Sequence, residues 1–279
     1  MPMFLRISTC LLAAALAAVP AGATSRDKKT APESSILVNS WKGKRVAFLG
    51  DSITDSIHVG TTKCYWEYLA EWLDITPQVY AKNGNQWDGV LRQAERLKAD
   101  NAEVDAIIIF AGTNDYNAGV PLGEWYDYAQ TETTVKGGFR EVRACRTPQK
   151  NGSTFRGRIN LVMDYLKTHF PEQQIIVLTP IHRGAARFSN QNVQPEEAFP
   201  NKLGLYVDAY VNTVKETANV WAVPVIDLNS LSGLYPMNNA HARYFHKEDT
   251  DRLHPNAEGH RRMALTLMYQ LLALPASFR

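Results

Sequence analysis

Short apolar runs rich in β-branched residues recur along the chain: RVAFLG (45–50), QVYAK (78–82), DAIIIFAG (105–112), QIIVLTP (174–180) and VWAVPVIDL (220–228). Each is bounded by Gly, Pro or polar residues and predicts a strand. Between and after them, apolar positions fall at helical spacing in CYWEYLAEWLDI (64–75), WDGVLRQAERLKA (87–99), FRGRINLVMDYLKTHF (155–170), LGLYVDAYVNTVKETA (203–218) and PNAEGHRRMALTLMYQLLAL (255–274). Near-continuous apolar strands joined through helices predict a parallel sheet covered on both faces, because each parallel crossover needs a helix. The expectation is an α/β domain of three layers, α/β/α, around a parallel five-stranded sheet. Ligands in such sheets bind beyond the carboxyl ends of the strands, beside a topological switch point. GDSIT, GTND and TPIHR each follow a predicted strand directly.

Two segments stand outside this rhythm. Residues 116–152 separate the third strand from the next helix, and within them TETTVKGGFREVRACRT reads as two β-prone arms around Lys136, Gly137 and Gly138. That predicts a hairpin insertion, placed near the strand ends as a wall or lid of the site. The first 23 residues, MPMFLRISTCLLAAALAAVPAGA, combine one positive charge, an apolar run and small residues before Thr24. They read as a secretory signal peptide cut after Ala23, with an uncleaved anchor as the alternative. Residues 24–40 are polar with Pro and Ser and read as a flexible leader, leaving 41–279 as one domain. The expected location is secreted or periplasmic.

Composition narrows the partners. Thirty basic and 28 acidic side chains give a formal charge of +2 without a basic stripe, which argues against nucleic acid and against an anionic membrane surface. No other stretch is long enough to span a bilayer. Beyond the signal only Cys64 and Cys145 remain. Export permits a disulfide between them, and two buried free thiols are the alternative. Neither CxxC nor a Cys/His ligand spacing occurs, so nothing calls for structural zinc or any other metal or organic cofactor.

The candidate chemistry centres on Ser52. A residue after a strand commonly caps the next helix, and Asp51 or Thr54 could do so here. A phosphate loop would want more glycine and a lysine, a calcium loop a different acidic spacing, and the G-x-S-x-G elbow is absent. A nucleophilic serine needs a base, and the base an orienting group. Of the seven histidines, His254 has a carboxylate three residues earlier, Asp251 in DRLHPN, with Pro255 opening the last helix. Ser52 is expected at a helix start with its backbone N–H free to meet an anion, Gly84 in AKNGNQW lets backbone approach closely, and Asn114 in AGTND offers a neutral amide donor. Singly, a turn glycine and a loop asparagine are the blander readings of the last two.

GDSIT, the glycine of AKNGNQW, GTND and DRLHPN, in this order over residues 45–274, resemble the four blocks of the SGNH (GDSL-type) hydrolase family. The resemblance implies a flavodoxin-like fold, Ser52 as nucleophile and oxyanion donor, Gly84 and Asn114 as further donors, and His254 as base oriented by Asp251. The second block departs from the commoner N-x-G-x-x-G form. Around these blocks Asp55, His58, Asn85, Trp87, Tyr116, Trp125, His182 and Arg183 form an expected polar and aromatic lining. Packing is the alternative for Trp87 and Trp125, and a salt bridge to an acidic loop the alternative for His182 and Arg183. The segment from Leu234 through His246 and Asp249 to Asp251 is expected to add another wall. Such a lining suits a small acyl group, such as acetyl, on a carbohydrate better than a long acyl chain. A lipase, lysophospholipase or thioesterase of the same family, and a non-catalytic glycan-binding module, are the alternatives. The module is weakened because every block keeps its reactive side chain.

Overall fold

The computed structural model describes residues 39–279. The expected signal peptide and almost all of the leader lie outside the described residues. The elements follow in the order β1 (Arg45–Gly50), α1 (Tyr65–Leu73), β2 (Thr76–Val79), α2 (Trp87–Ala99), β3 (Ala106–Phe110), α3 (Thr113–Ala118), β4 (Tyr126–Thr134), β5 (Arg140–Pro148), α4 (Phe155–His169), β6 (Gln174–Leu178), β7 (Ala186–Arg187), β8 (Val193–Gln194), α5 (Val207–Trp221), β9 (Val225–Ile226), α6 (Leu228–Leu231), a 3-10 turn (Asn239–Tyr244), β10 (Phe245–Lys247), β11 (Asp251–Pro255) and α7 (Ala257–Leu272).

Five strands form the expected parallel sheet in the order β2-β1-β3-β6-β9. Alternate side chains along each strand enter two different cores. Ala47, Leu49, Ile107 and Ile109 pack with α2, α4 and α5, while Val46, Phe48, Ile108 and Phe110 pack with α1 and α7. Both faces are therefore apolar, which is why the strands read as unbroken hydrophobic runs rather than alternating ones. The chain leaves β1 towards β2 on one side and later places β3 on the other, so the switch point lies between β1 and β3.

Three local expectations are corrected. The last strand covers only Val225–Ile226, because α5 continues through Val220 and Trp221. Trp221 Nε1 donates to Asn160 Oδ1 at 2.8 Å, and Ala222 then ends the helix in the left-handed region at φ 50°. Ser52 does not open a helix: the Thr54 and Asp55 N–H groups both donate to Asp51 O, closing a single turn, and α1 begins only at Tyr65. Pro255 likewise ends β11 rather than starting α7, whose cap is Asn256, accepting from the Glu258 and Gly259 N–H groups.

The predicted hairpin is present and longer than expected, pairing Tyr126–Thr134 with Arg140–Pro148 around Gly137 and Gly138. Nearly all of its residues are exposed. Cys145 lies on it, exposed, while Cys64 is buried at the start of α1, so the two thiols are separate and only one is buried. A second sheet has no counterpart in the sequence reading: β10, β11, β7 and β8 form an antiparallel sheet in that order.

Candidate active site

The first half of the site stands on the parallel sheet. At the end of β1, Gly50 pairs with Phe110 of β3 so closely that a Cβ would collide with the Phe110 carbonyl oxygen. Gln93 of α2 clamps the same glycine, accepting from its N–H at 2.7 Å and donating to its carbonyl at 2.8 Å. The next residue, Asp51, is buried and accepts from the Ile53 N–H, which tightens the turn that carries Ser52. Burial pushes the Asp51 carboxyl up to about 6 despite the charges of His254 and Arg183 nearby.

The loop after β2 is tied to that turn by Asp55. Its two carboxylate oxygens accept from the Ile57 N–H at 3.0 Å and the Asn83 N–H at 2.6 Å. Gly84 follows at φ 76°, a left-handed conformation that favours glycine although no neighbour crowds it. After β3, Asn114 donates from Nδ2 to Asn85 O at 3.0 Å, which aims the amide and leaves its second N–H unused. Asp115, fully buried, accepts from the Trp87 N–H and from Arg158 Nη1. Burial raises its carboxyl to about 7, against the pull of Arg158.

The second half stands on the antiparallel sheet. His254 and Asp251 are both on β11, and His254 Nδ1 lies 3.0 Å from Asp251 Oδ2 and 3.2 Å from Oδ1. Asp251 Oδ1 also accepts from the His254 backbone N–H at 3.1 Å, which turns the carboxylate towards the ring. On β10, His246 Nδ1 lies 3.0 Å from Asp251 Oδ2, a partner the sequence reading did not assign. Burial raises the Asp251 carboxyl, but hydrogen bonds from His254 and His246 outweigh it and hold the group below its ordinary value. His254 Nε2 faces Ser52 Oγ at 3.0 Å, joining residues two hundred positions apart. Gly60 backs this arrangement: a Cβ there would sit 2.8 Å from His254 Cβ and 3.0 Å from His246 Cβ.

A cleft of about 460 Å3 opens over these groups. Its walls are Ser52, Gly84, Asn114 and His254 together with Val59, Asn83, Phe188, Asn192, Gln194 and Leu253. Half of the second set, Phe188, Asn192 and Gln194, comes from the β7–β8 excursion and was not foreseen, because nothing local in FSNQNVQ marks it as cleft rather than surface.

The expected lining is largely corrected. Trp87 and Tyr116 are shut in the core, packed against Phe155 and Tyr210 respectively, and Tyr116 Oη donates to Phe199 O. Asp55 spends both oxygens on backbone, so it positions rather than lines. The Asn85 side chain lies against Gly89 of α2 and only its carbonyl serves the site, through Asn114. Arg183 is 1% exposed. It donates to Thr113 and Gln194 and stacks over Tyr116, so it braces α3 and the rim from behind. Burial lowers it to about 10. His182 pairs with Glu197 at 2.7 Å, the acidic-loop alternative, and that bond raises its pKa. Trp125 donates to Glu216, away from the cleft. The hairpin contributes no residue to the cleft wall. The segment before Asp251 contributes His246 through its bond to the carboxylate.

A sequence profile described as the GDSL-like Lipase/Acylhydrolase family matches residues 48–262. Among solved structures, a protein from Lactobacillus plantarum is 26% identical, with a TM-score of 0.64 over 83% of this chain and 98% of that one. One described as a possible lipase from Chitinophaga pinensis is 19% identical, with a TM-score of 0.59 over 83% and 99% of the two chains. An acetyl xylan esterase, AlAXEase, is 18% identical, with a TM-score of 0.51 over 81% and 99%. At these identities the last two speak to the fold alone. No curated protein matched the sequence.

Proposed function

The chain belongs to the GDSL-like lipase/acylhydrolase family and is a hydrolase of that fold; from that premise we propose that it is an exported serine esterase that removes a small acyl group, acetyl by preference, from a carbohydrate. The observation that carries the serine chemistry is the line Ser52 Oγ, His254 Nε2, His254 Nδ1, Asp251, each step within hydrogen-bond distance. Asp251 accepts a hydrogen bond from Nδ1–H, which leaves the Nε2 lone pair towards Ser52. Ser52 Oγ attacks the ester carbonyl as His254 takes its proton. The oxyanion rests on the Ser52 and Gly84 N–H groups and on the free N–H of Asn114. His254 then protonates the departing alcohol, and water, deprotonated by the same nitrogen, releases the acid and restores the serine.

The substrate class rests on the cleft wall. Asn83, Asn114, Asn192 and Gln194 present hydrogen-bonding groups, with Phe188 beside them as one aromatic surface. The described wall suits a sugar ring better than an extended acyl chain, and the neighbour AlAXEase is by name an acetyl xylan esterase. The test is a fluorophosphonate probe followed by a substrate panel. The probe should label Ser52, and acetylated sugars should turn over faster than long-chain acyl esters. A clear preference for long chains would replace the carbohydrate reading by a lipase, and a folded protein inert to the probe would remove the esterase reading. Export is checked by fractionation and N-terminal sequencing, with mature chain expected to begin at Thr24.

A further inference from the structure

The loop between the Ser52 turn and α1 contains a conflict between hydrogen-bonding groups. His58 Nδ1 lies 2.8 Å from Ser56 O, and His58 Nε2 lies 2.8 Å from Glu67 Oε2. Both neighbours are acceptors. The imidazolium, with two N–H groups, would satisfy both as an ion pair with Glu67, whereas a neutral imidazole sets a lone pair against one oxygen, which a cation between Nε2 and the carboxylate would also relieve. The geometry is held in place: His58 sits in the left-handed region at φ 58°, and Glu67 Oε2 is fixed by the Cys64 N–H at 2.6 Å. A third donor atom completes the group. Cys64 Sγ is buried, makes a weak contact to Asp55 O at 3.8 Å, and lies with the other two ligand atoms inside a mutual distance of 4.8 Å.

We propose that His58 Nε2, Cys64 Sγ and the Glu67 carboxylate form a binding site for a single borderline divalent cation, Zn2+ in preference to Ca2+ or Mg2+. One nitrogen, one sulfur and one oxygen ligand suit zinc, whereas calcium and magnesium want oxygen ligands throughout. With Nδ1–H donating to Ser56 O, the Nε2 lone pair is presented to the ion, which is the usual way an outer carbonyl selects the ligating tautomer. Three protein ligands leave a fourth tetrahedral position for water. Binding is not redox chemistry: the Cys64 S–H bond breaks, its proton leaves to solvent, and the sulfur lone pair forms the bond to zinc.

Glu67 and Asp55 are the negative charges beside the Cys64 thiol, whose proton the ion displaces on binding. The same carboxylates that oppose a thiolate favour a dication. Two members of the spacing H-x5-C-x2-E also perform a helix cap, with Cys64 as the N-cap of α1 and Glu67 at its third position. The ion would brace the loop whose Gly60 backs His254 and His246.

The test is chelator treatment of the purified protein followed by calorimetric titration with ZnCl2 in two buffers of different ionisation enthalpy, and by CoCl2 titration monitored by absorption. About one zinc per chain, release of about one proton, and a sulfur-to-cobalt charge-transfer band are expected. His58→Gln, Cys64→Ser and Glu67→Gln should each weaken binding by at least about 100-fold, the upper end of what loss of an outer partner costs. His246→Gln should leave it unchanged. Absence of saturable zinc binding would overturn the proposal, as would affinity that survives all three substitutions or falls with His246→Gln. If Cys64→Ser fails to fold, the cobalt band of the unaltered protein decides, and its absence rules out sulfur coordination.

Discussion

The two sheets that meet at the cleft hold their functional groups by opposite means. On the parallel sheet, side chains fix backbone: Gln93 grips Gly50, Asp55 ties Ile57 to Asn83, and Asp115 holds the start of α2. What that region presents is a serine and N–H donors whose positions depend on peptide planes. On the antiparallel sheet, side chains fix side chains: Asp251 is shared by His254 and His246. The two regions also treat a buried carboxyl differently. Asp51, with backbone donors and no hydrogen-bonded charged partner, rises to about 6, whereas Asp251, with two imidazole partners, falls below its ordinary value. Under the proposed chemistry, the region that would receive negative charge is thus built from rigid donors, and the region that would move a proton is built from coupled rings.

The sharpest way to separate the regions is to remove one group from each. Ser52→Ala should lower kcat on an acetyl ester on the order of 10^6-fold, leaving residual turnover from the donors alone. Near-normal turnover would take the parallel sheet out of the chemistry. Asp251→Asn should cost about 10^4-fold in kcat in a protein with unchanged circular dichroism, because an amide favours the wrong histidine tautomer. A loss below about tenfold would show that the antiparallel sheet only orients, and that the tautomer is set elsewhere. Asn114→Ala should cost about 10^2- to 10^3-fold, mostly in kcat, since the amide is aimed at charge that develops during reaction. A change confined to KM would instead make Asn114 a ground-state contact.

The contrast between the two aspartates predicts opposite slopes of stability with pH. Between about pH 4 and pH 6 the folded chain keeps the Asp51 proton that the unfolded chain has released, so this stabilisation is lost as pH rises through about 6. For Asp251 the sign reverses: its lowered pKa stabilises the fold above about pH 4, and that is lost as pH falls through the folded value. Urea midpoints across this range should fall less steeply with rising pH in Asp51→Asn than in the unaltered protein. An unchanged slope would place the proton elsewhere. The smallest effect is expected at the hairpin. Replacing residues 127–147 by a short glycine linker should change kcat/KM by no more than about twofold, the scale of a surface change, because no hairpin residue lines the cleft.

That hairpin and the β7–β8 excursion show why legibility was uneven. The hairpin was visible in the sequence, since its arms are β-prone and Lys136, Gly137 and Gly138 supply the turn, yet its destination was misjudged. A strand pair satisfies its own backbone and so carries no record of which surface it projects from. β7 and β8 have two residues each; β7 pairs across sequence with β11 and β8 with β7, and the excursion places Phe188, Asn192 and Gln194 on the cleft. Segments that short have no period to read. Trp87 and Tyr116 failed as lining for a related reason: an aromatic next to a functional block is equally suited to the core behind it, and Phe155 and Tyr210 were waiting there.

By itself the sequence determined the parallel sheet and its helices, because two-sided burial demands unbroken apolar strands and one-sided burial demands helical spacing. It also determined the family, through four short blocks whose residue types few other arrangements share. Only the tertiary structure decided that His254 Nε2 stands 3.0 Å from Ser52, that His246 shares Asp251, and that His58, Cys64 and Glu67 converge. Those are distances between atoms on separate elements, and they are set by how strands and loops pack in space, which no local pattern along the chain encodes.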